Sequence, residues 1–386
     1  MMKRFILRLL LFLLILPFVL ELSVRLFIPQ QLIRFDNIYV PEEGLGQVPA
    51  PNLDMTLNTG ERDIRYITDS EGVRIGQHPV VNPQKRILVL GDSFVVAMQV
   101  EYEDSTVGIL ESDLSGTLGY PVSVANMGSA AFNVNHYHIR EKRELAEGSY
   151  DLVVVLLYAG NDFVSRRVDS YEAFSTTTTS TLRLPRSLSR DELVDAVFYP
   201  VNDFLETSSH LYVLLKDRAS TLLAKVGLSE RYFPQELLRS EADSPVWETT
   251  ASILADIQAD AARHQTPVLF ALLPSVYQID SAYLDWAYQA FGVTPNQVDV
   301  EQPGKLLAAA LRPYTITLLD TFIPLREAYE RGNTELFGDV DTHLSPEGHQ
   351  VVADFLEPYI IKALTSQSEP PNNAFSPAGS LSPVPV

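Results

Sequence analysis

The chain has 386 residues, 46% of them hydrophobic, and a formal net charge of −20. That length supports one large α/β domain with additions, or two smaller domains. So acidic a field repels phosphate backbones and argues against nucleic acid as a partner. The absence of cysteine excludes disulfides, thiolate metal sites, a cysteine nucleophile and a cysteine-borne lipid anchor.

At the N-terminus, Lys3, Arg4 and Arg8 lead into a continuous apolar run from Leu9 to Leu20. Leu22, Val24, Leu26 and Phe27 continue it, interrupted by Glu21 and Arg25. A cleaved signal peptide would end in a small-x-small site, and the stretch from Glu21 to Phe27 offers none. Residues 1–28 therefore read as an uncleaved membrane anchor, with a cleaved signal and a buried core helix as alternatives. The span Phe5 to Phe27 can cross a bilayer with Arg8 and Arg25 snorkelling to the headgroups. Lys3 and Arg4 on the inner side would place the rest of the chain outside the cytoplasm. Glu21 fits this reading only at the outer interface.

Residues 29–85, rich in Pro, Asn, Asp and Gly, read as a spacer with short extended pieces such as Ile64 to Ile67. From Arg86 onward, solid apolar runs alternate with helical patterns. The runs are Arg86 to Leu90, Val122 to Ala125, Asp151 to Tyr158, Pro267 to Leu273 and Thr315 to Leu319. Such runs suit strands buried on both faces of a parallel sheet. Helices are expected over Asp104 to Leu118, Asn135 to Glu147, Val246 to His264 and Pro346 to Leu364. Ser345 would cap the last of these, with Pro346 in its first turn. The alternation implies a doubly wound α/β domain over residues 86–365 with about five parallel strands. Residues 163–244 interrupt it and are too long for an ordinary connection. They read either as an inserted helical lid or as a structural embellishment. Residues 366–386, rich in Pro, Ser and Asn, read as a disordered tail.

Three polar clusters follow the first three runs: Gly91-Asp92-Ser93, Asn126-Met127-Gly128 and Gly160-Asn161-Asp162. A fourth, Asp341-Thr342-His343, precedes the last helix. In open parallel sheets the functional crevice lies at the carboxyl ends of the strands, so the first three clusters converge on one edge. The residue types suit acyl transfer. A serine hydroxyl needs a base, histidine can act as one near neutral pH, and a carboxylate on the other ring nitrogen fixes the tautomer. The resulting oxyanion needs preorganised donors, which the amides of Ser93 and Gly128 and the side chain of Asn161 could supply. Each cluster alone is a common turn composition; their order and their placement at strand ends carry the reading.

These blocks resemble those of the SGNH (GDSL-like) hydrolase family. Arg86 to Phe94 resembles the first block, with Ser93 as nucleophile. Asn126-Met127-Gly128 and Gly160-Asn161-Asp162 resemble the blocks that supply oxyanion donors, Gly128 and Asn161. Asp341 to His349 resembles the last block, with His343 as base. The family implies a flavodoxin-like three-layer fold and no cofactor. Many members place the acid three residues before the histidine, where this chain has Val340. The Asp-x-His spacing favours Asp341 as the acid, with Asp339 second, and is similar to that of members acetylating envelope polysaccharides. The N-terminal anchor and the stretch Ile67 to Arg74 resemble the membrane-anchored bacterial branch.

His349 is expected to pack on the last helix. His136 and His138 lack a third ligand at a telling spacing, so no metal is expected. Arg166 and Arg167 read as solvated charge, with a substrate anion as the alternative. The expectation is thus an extracytoplasmic ester hydrolase, membrane-bound through its N-terminal helix, acting on a short-acyl or O-acetyl ester of a small molecule or glycan. Two alternatives stay open: an acyltransferase using the same residues, and a non-catalytic glycan-binding or scaffold protein on the same fold.

Overall fold

The computed structural model describes residues 2–30, 32, 38–167, 201–225 except 203 and 207, 233–339, and 341–366. Helix α1 (Met2–Phe27) is followed by a β1 (Tyr39–Glu42)–β2 (Gly46–Pro49) antiparallel hairpin, then β3 (Asp54–Asn58), β4 (Asp63–Thr68), β5 (Arg74–Ile75) and β6 (Lys85–Gly91). Next come α2 (Ser93–Val96), α3 (Thr106–Leu118), β7 (Val122–Gly128), α4 (Val134–Glu147) and β8 (Leu152–Tyr158). Helices α5 (His210–Lys225) and α6 (Val246–Arg263) precede β9 (Val268–Leu273). The chain continues with α7 (Val276–Ile279), α8 (Ser281–Phe291), α9 (Gln302–Leu311), β10 (Leu318–Asp320), α10 (Phe322–Glu330) and α11 (Pro346–Thr365).

The apolar runs become the centre of an eight-stranded sheet in the order β10-β9-β8-β6-β7-β5-β4-β3. Its first five strands are mutually parallel, as the runs imply. Side chains of a strand alternate between faces. Ile87 and Val89 of β6 therefore join a core with Leu110 of α3, Leu325 of α10 and Leu356 of α11. Leu88 and Leu90 join a second core with Tyr137 of α4, Leu254 of α6 and Leu307 of α9. The result is a three-layer α/β architecture with helices on both faces.

Two differences from the sequence reading have physical causes. The stretch assigned as a spacer instead supplies β3, β4 and β5, which extend the sheet antiparallel from β7. In β4, Ile64 and Tyr66 are buried while Asp63 and Arg65 are exposed, the two-residue alternation of a half-buried edge. Arg74 pairs opposite Asn126 in β7 and is itself buried. Strand β10 starts at Leu318 because a 3₁₀ turn over Arg312–Tyr314 ends on Thr315 in the left-handed region, φ 59°.

Much of the insertion, residues 168–200 and 226–232, and the tail beyond 366 lie outside the described residues. The described part of the insertion includes α5, which packs on α1. Among the described residues no helix is long and apolar enough to cross a membrane; the side chains of Ile6, Leu7, Leu9, Leu10 and Leu13 fall outside that set. The Glu21 carboxylate accepts hydrogen bonds from the Ser209 hydroxyl (2.7 Å) and from the His210 (3.1 Å) and Leu211 (2.9 Å) amides, so it caps the start of α5.

Candidate active site

The carboxyl ends of the parallel strands bring the polar clusters together. Gly91 of β6 lies opposite Gly128 of β7 in register, and Leu90 lies opposite Val155 of β8. At Gly91 the chain turns from strand directly into α2. A Cβ there would sit 2.1 Å from Val95 Cγ2 and 3.0 Å from the Leu156 carbonyl oxygen, so only glycine fits. Asp92 caps the short helix by accepting the Phe94 N–H at 2.9 Å, which fixes Ser93 at its first position.

Ser93 and His343 are separated by 250 positions, yet Ser93 Oγ lies 2.7 Å from His343 Nε2. Asp341 Oδ1 hydrogen-bonds His343 Nδ1 on the opposite side of the ring and also accepts the His343 N–H at 3.2 Å. Burial pushes the Asp341 carboxyl up, but the bond and charge of His343 and a further bond from Gln99 outweigh this and hold it below its ordinary value. Asp339 is exposed and takes no part in this chain of bonds. The imidazole packs on Phe94, ring centroids 4.5 Å apart, and Phe94 stacks on Tyr158 at 4.0 Å. Serine, imidazole and carboxylate thus stand in the arrangement of an activated hydroxyl.

The prospective oxyanion donors fare differently. The Ser93 amide and the exposed Asn161 side chain have no hydrogen-bond partner among the described residues. Asn161 is held by its neighbour: buried Asp162 accepts the Tyr137 hydroxyl and the Tyr158 N–H, each at 2.6 Å. Burial and the nearby Asp92 raise the Asp162 carboxyl well above its ordinary value, while the bonds from Tyr137 and Tyr158 oppose that rise. Gly128 departs from the expectation. Its N–H donates to Asn126 Oδ1 at 3.1 Å, and Asn126 Nδ2 donates to the Val95 carbonyl at 2.8 Å. A Cβ at Gly128 would lie 2.3 Å from the Val96 nitrogen. Gly128 is therefore glycine because α2 packs directly on β7, and its amide is already engaged. Three residues on, exposed Ala131 is left-handed (φ 63°), and its amide has no hydrogen-bond partner among the described residues. The Ser129 N–H bonds the Gly91 carbonyl at 3.3 Å, which keeps this loop beside the nucleophile turn. A non-glycine residue at positive φ is a conformational feature that its sequence does not announce.

Sequence reasoning also missed Gln99 and Arg74. Gln99 Nε2 donates to Asp341 Oδ2 at 3.1 Å. Buried Arg74 donates to the carbonyls of Val96 (2.7 Å), Ala97 and Val100 (2.6 Å), tying down the segment that carries Gln99. His349 packs as expected. It is buried, its Nδ1 accepts the Thr106 N–H at 3.2 Å, and burial, with the charges of Arg74 and His343, lowers it to about 3. His136 stacks on Phe132 and accepts the Asn133 N–H on Nδ1 at 3.0 Å, inside the capping box of α4. Arg167 pairs with Asp256 across to α6, a surface ion pair.

No family model matches the chain, and no curated protein matches it. Among solved structures, TesA covers 72% of this chain and 99% of its own at 12% identity, with a TM-score of 0.37. A member of the lipolytic G-D-S-L family from Veillonella parvula covers 72% and 99% at 14% identity, TM-score 0.38. A catalytic mutant of Axe2, an acetylxylan esterase from Geobacillus stearothermophilus, covers 74% and 95% at 8% identity, TM-score 0.39.

Proposed function

We propose that this chain is a serine ester hydrolase of the SGNH type, anchored in a membrane through α1 and acting outside the cytoplasm. The observation that carries the reading is the 2.7 Å contact between Ser93 Oγ and His343 Nε2, with Asp341 on the other ring nitrogen. Ser93 Oγ attacks the ester carbonyl while His343 Nε2 takes its proton, and the Asp341 carboxylate stabilises the imidazolium. The Ser93 amide and Asn161 side chain receive the oxyanion, and the Ala131 amide is a further donor in place of Gly128. The tetrahedral intermediate collapses with loss of the alcohol, which takes the proton from His343. Water then repeats the sequence on the acyl-Ser93 ester, releasing the acid and restoring the serine.

Anchoring rests on the apolar sequence of α1 and on its exposed side chains. Phe5 is 67% exposed and Phe18 72%, and Leu11, Phe12 and Leu14 are also exposed. An apolar surface of this kind is at home in lipid and costly in water. Glu21, the awkward residue for a span, has its hydrogen bonds met by α5 at the end of the helix that would emerge from the bilayer.

A short-acyl or O-acetyl ester of a glycan is the proposed substrate class. The test is acetate release from an acetylated aryl ester and from an O-acetylated glycan, by detergent-solubilised protein and its Ser93→Ala variant. Release that disappears with Ser93→Ala is expected; equal release by both proteins rejects the reading. Acetyl groups appearing on an added glycan, with little free acetate, would make the enzyme a transferase instead.

A further inference from the structure

We propose that His138, Glu141 and Asp260 form a binding site for one divalent transition cation of the zinc type, on the face of the sheet formed by α4 and α6 and separate from Ser93. His138 and Glu141 stand three residues apart on α4 and so share one face of that helix. Asp260 faces them from the last turns of α6, with Asp260 Oδ2 2.9 Å from His138 Nε2. One ligand atom from each residue lies within 4.8 Å of the other two. A cation with ordinary zinc bond lengths holds its ligand atoms roughly 3–4 Å apart, so small side-chain adjustments would close the site.

The decisive residue is Glu141. It is 0% exposed, and neither carboxylate oxygen has a hydrogen-bond partner among the described residues. A buried carboxylate without a donor is costly and calls for a counter-charge or a proton. The nearby cation Arg263 pairs with the other oxygen of Asp260, not with Glu141. One imidazole and two carboxylates suit zinc and neighbouring divalent metals better than calcium or magnesium, which favour all-oxygen sets. Asp260 is buried like Glu141, and the half-buried His138 leaves a route in from solvent. A cation here would clamp α4 to α6, and α4 starts beside the Asn161 loop, where the Val134 N–H bonds the Asp162 carbonyl.

The test titrates full-length, chelator-stripped protein in detergent micelles with zinc chloride, followed by calorimetry and thermal melting. One equivalent is expected to bind per chain, with the melting temperature rising until that equivalent is taken up. Glu141→Gln, which mimics a protonated carboxyl, should melt without zinc no lower than the parent yet bind zinc at least about tenfold more weakly. His138→Gln tests the same site from its more exposed member and should weaken binding similarly. His343→Ala should bind as the parent does. Absence of saturable binding, binding undiminished in both Glu141→Gln and His138→Gln, or binding lost in His343→Ala would each overturn the site.

Discussion

Gln99 Nε2 donates to Asp341 Oδ2 at 3.1 Å, on the side of the carboxylate away from His343. Asp341 is thus held from both sides, and the segment bearing Gln99 is itself held by three hydrogen bonds from buried Arg74. The edge of the sheet built by β3–β5 is in this way wired to Asp341, the acid of the proposed triad. Removing such an outer partner leaves the chemistry possible but the acid less well aimed. Gln99→Ala is expected to lower kcat about tenfold with little change in KM. Gln99→Glu, which places a second acid beside Asp341, should be worse than alanine; steady-state kinetics on an acetyl ester measure both.

The two candidate acids are separable. Asp341→Asn leaves the shape but loses the carboxylate that fixes the His343 tautomer, so kcat is expected to fall on the order of 10⁴-fold. Asp339→Asn should keep nearly full activity, because Asp339 is exposed and outside the hydrogen-bonded chain. The reverse ranking would reassign the acid.

Asn161 and Gly128 should fail in different ways. Asn161→Ala removes a proposed oxyanion donor from an exposed position, so kcat is expected to fall about 10²–10³-fold with an unchanged melting temperature. Gly128→Ala drives a methyl group into the α2 backbone, 2.3 Å from the Val96 nitrogen. That change is expected to cost about 1–3 kcal/mol of stability or more. Chemical denaturation alongside kinetics distinguishes a lost donor from a displaced helix.

His349 predicts a stability that depends on pH. Its Nδ1 accepts the Thr106 N–H, so protonation breaks that bond and places a charge in the core. The folded-state value is depressed to about 3 from an ordinary 6.5. The unfolded chain therefore takes up the proton first, and the stabilising contribution is full above pH 6.5 and lost as the pH falls from there toward 3. Urea melts at pH 7, 5.5 and 4.5 should show this loss. In His349→Gln, stability should change less with pH across the same window.

The sequence disclosed the parts of the fold that depend on local pattern. Solid apolar runs identified the five parallel strands, and helix periodicity with Ser345 and Pro346 placed α11 where it lies. The antiparallel edge was hidden because β4 is half-exposed and β5 has two residues, too little for a pattern to register. At the site, Ser93, His343 and Asp341 were legible because their chemistry is singular and their order distinctive. Gln99, Arg74 and the left-handed Ala131 were not, because contacts far along the chain and backbone conformation leave no local pattern. Gly128 misled for a related reason: a glycine at a strand end looks alike whether it makes room for a substrate or, as here, for a neighbouring helix.

The measurement bearing most directly on the proposal is intact and peptide mass spectrometry after treatment with a fluorophosphonate. This probe is attacked by a hydroxyl whose proton a base can take, and it stays bound as a phosphonyl ester. A single adduct on Ser93 is expected, absent in Ser93→Ala and strongly slowed in His343→Ala. Folded protein that remains unlabelled, or that carries its adduct on another residue, would contradict the assignment of Ser93 as the nucleophile.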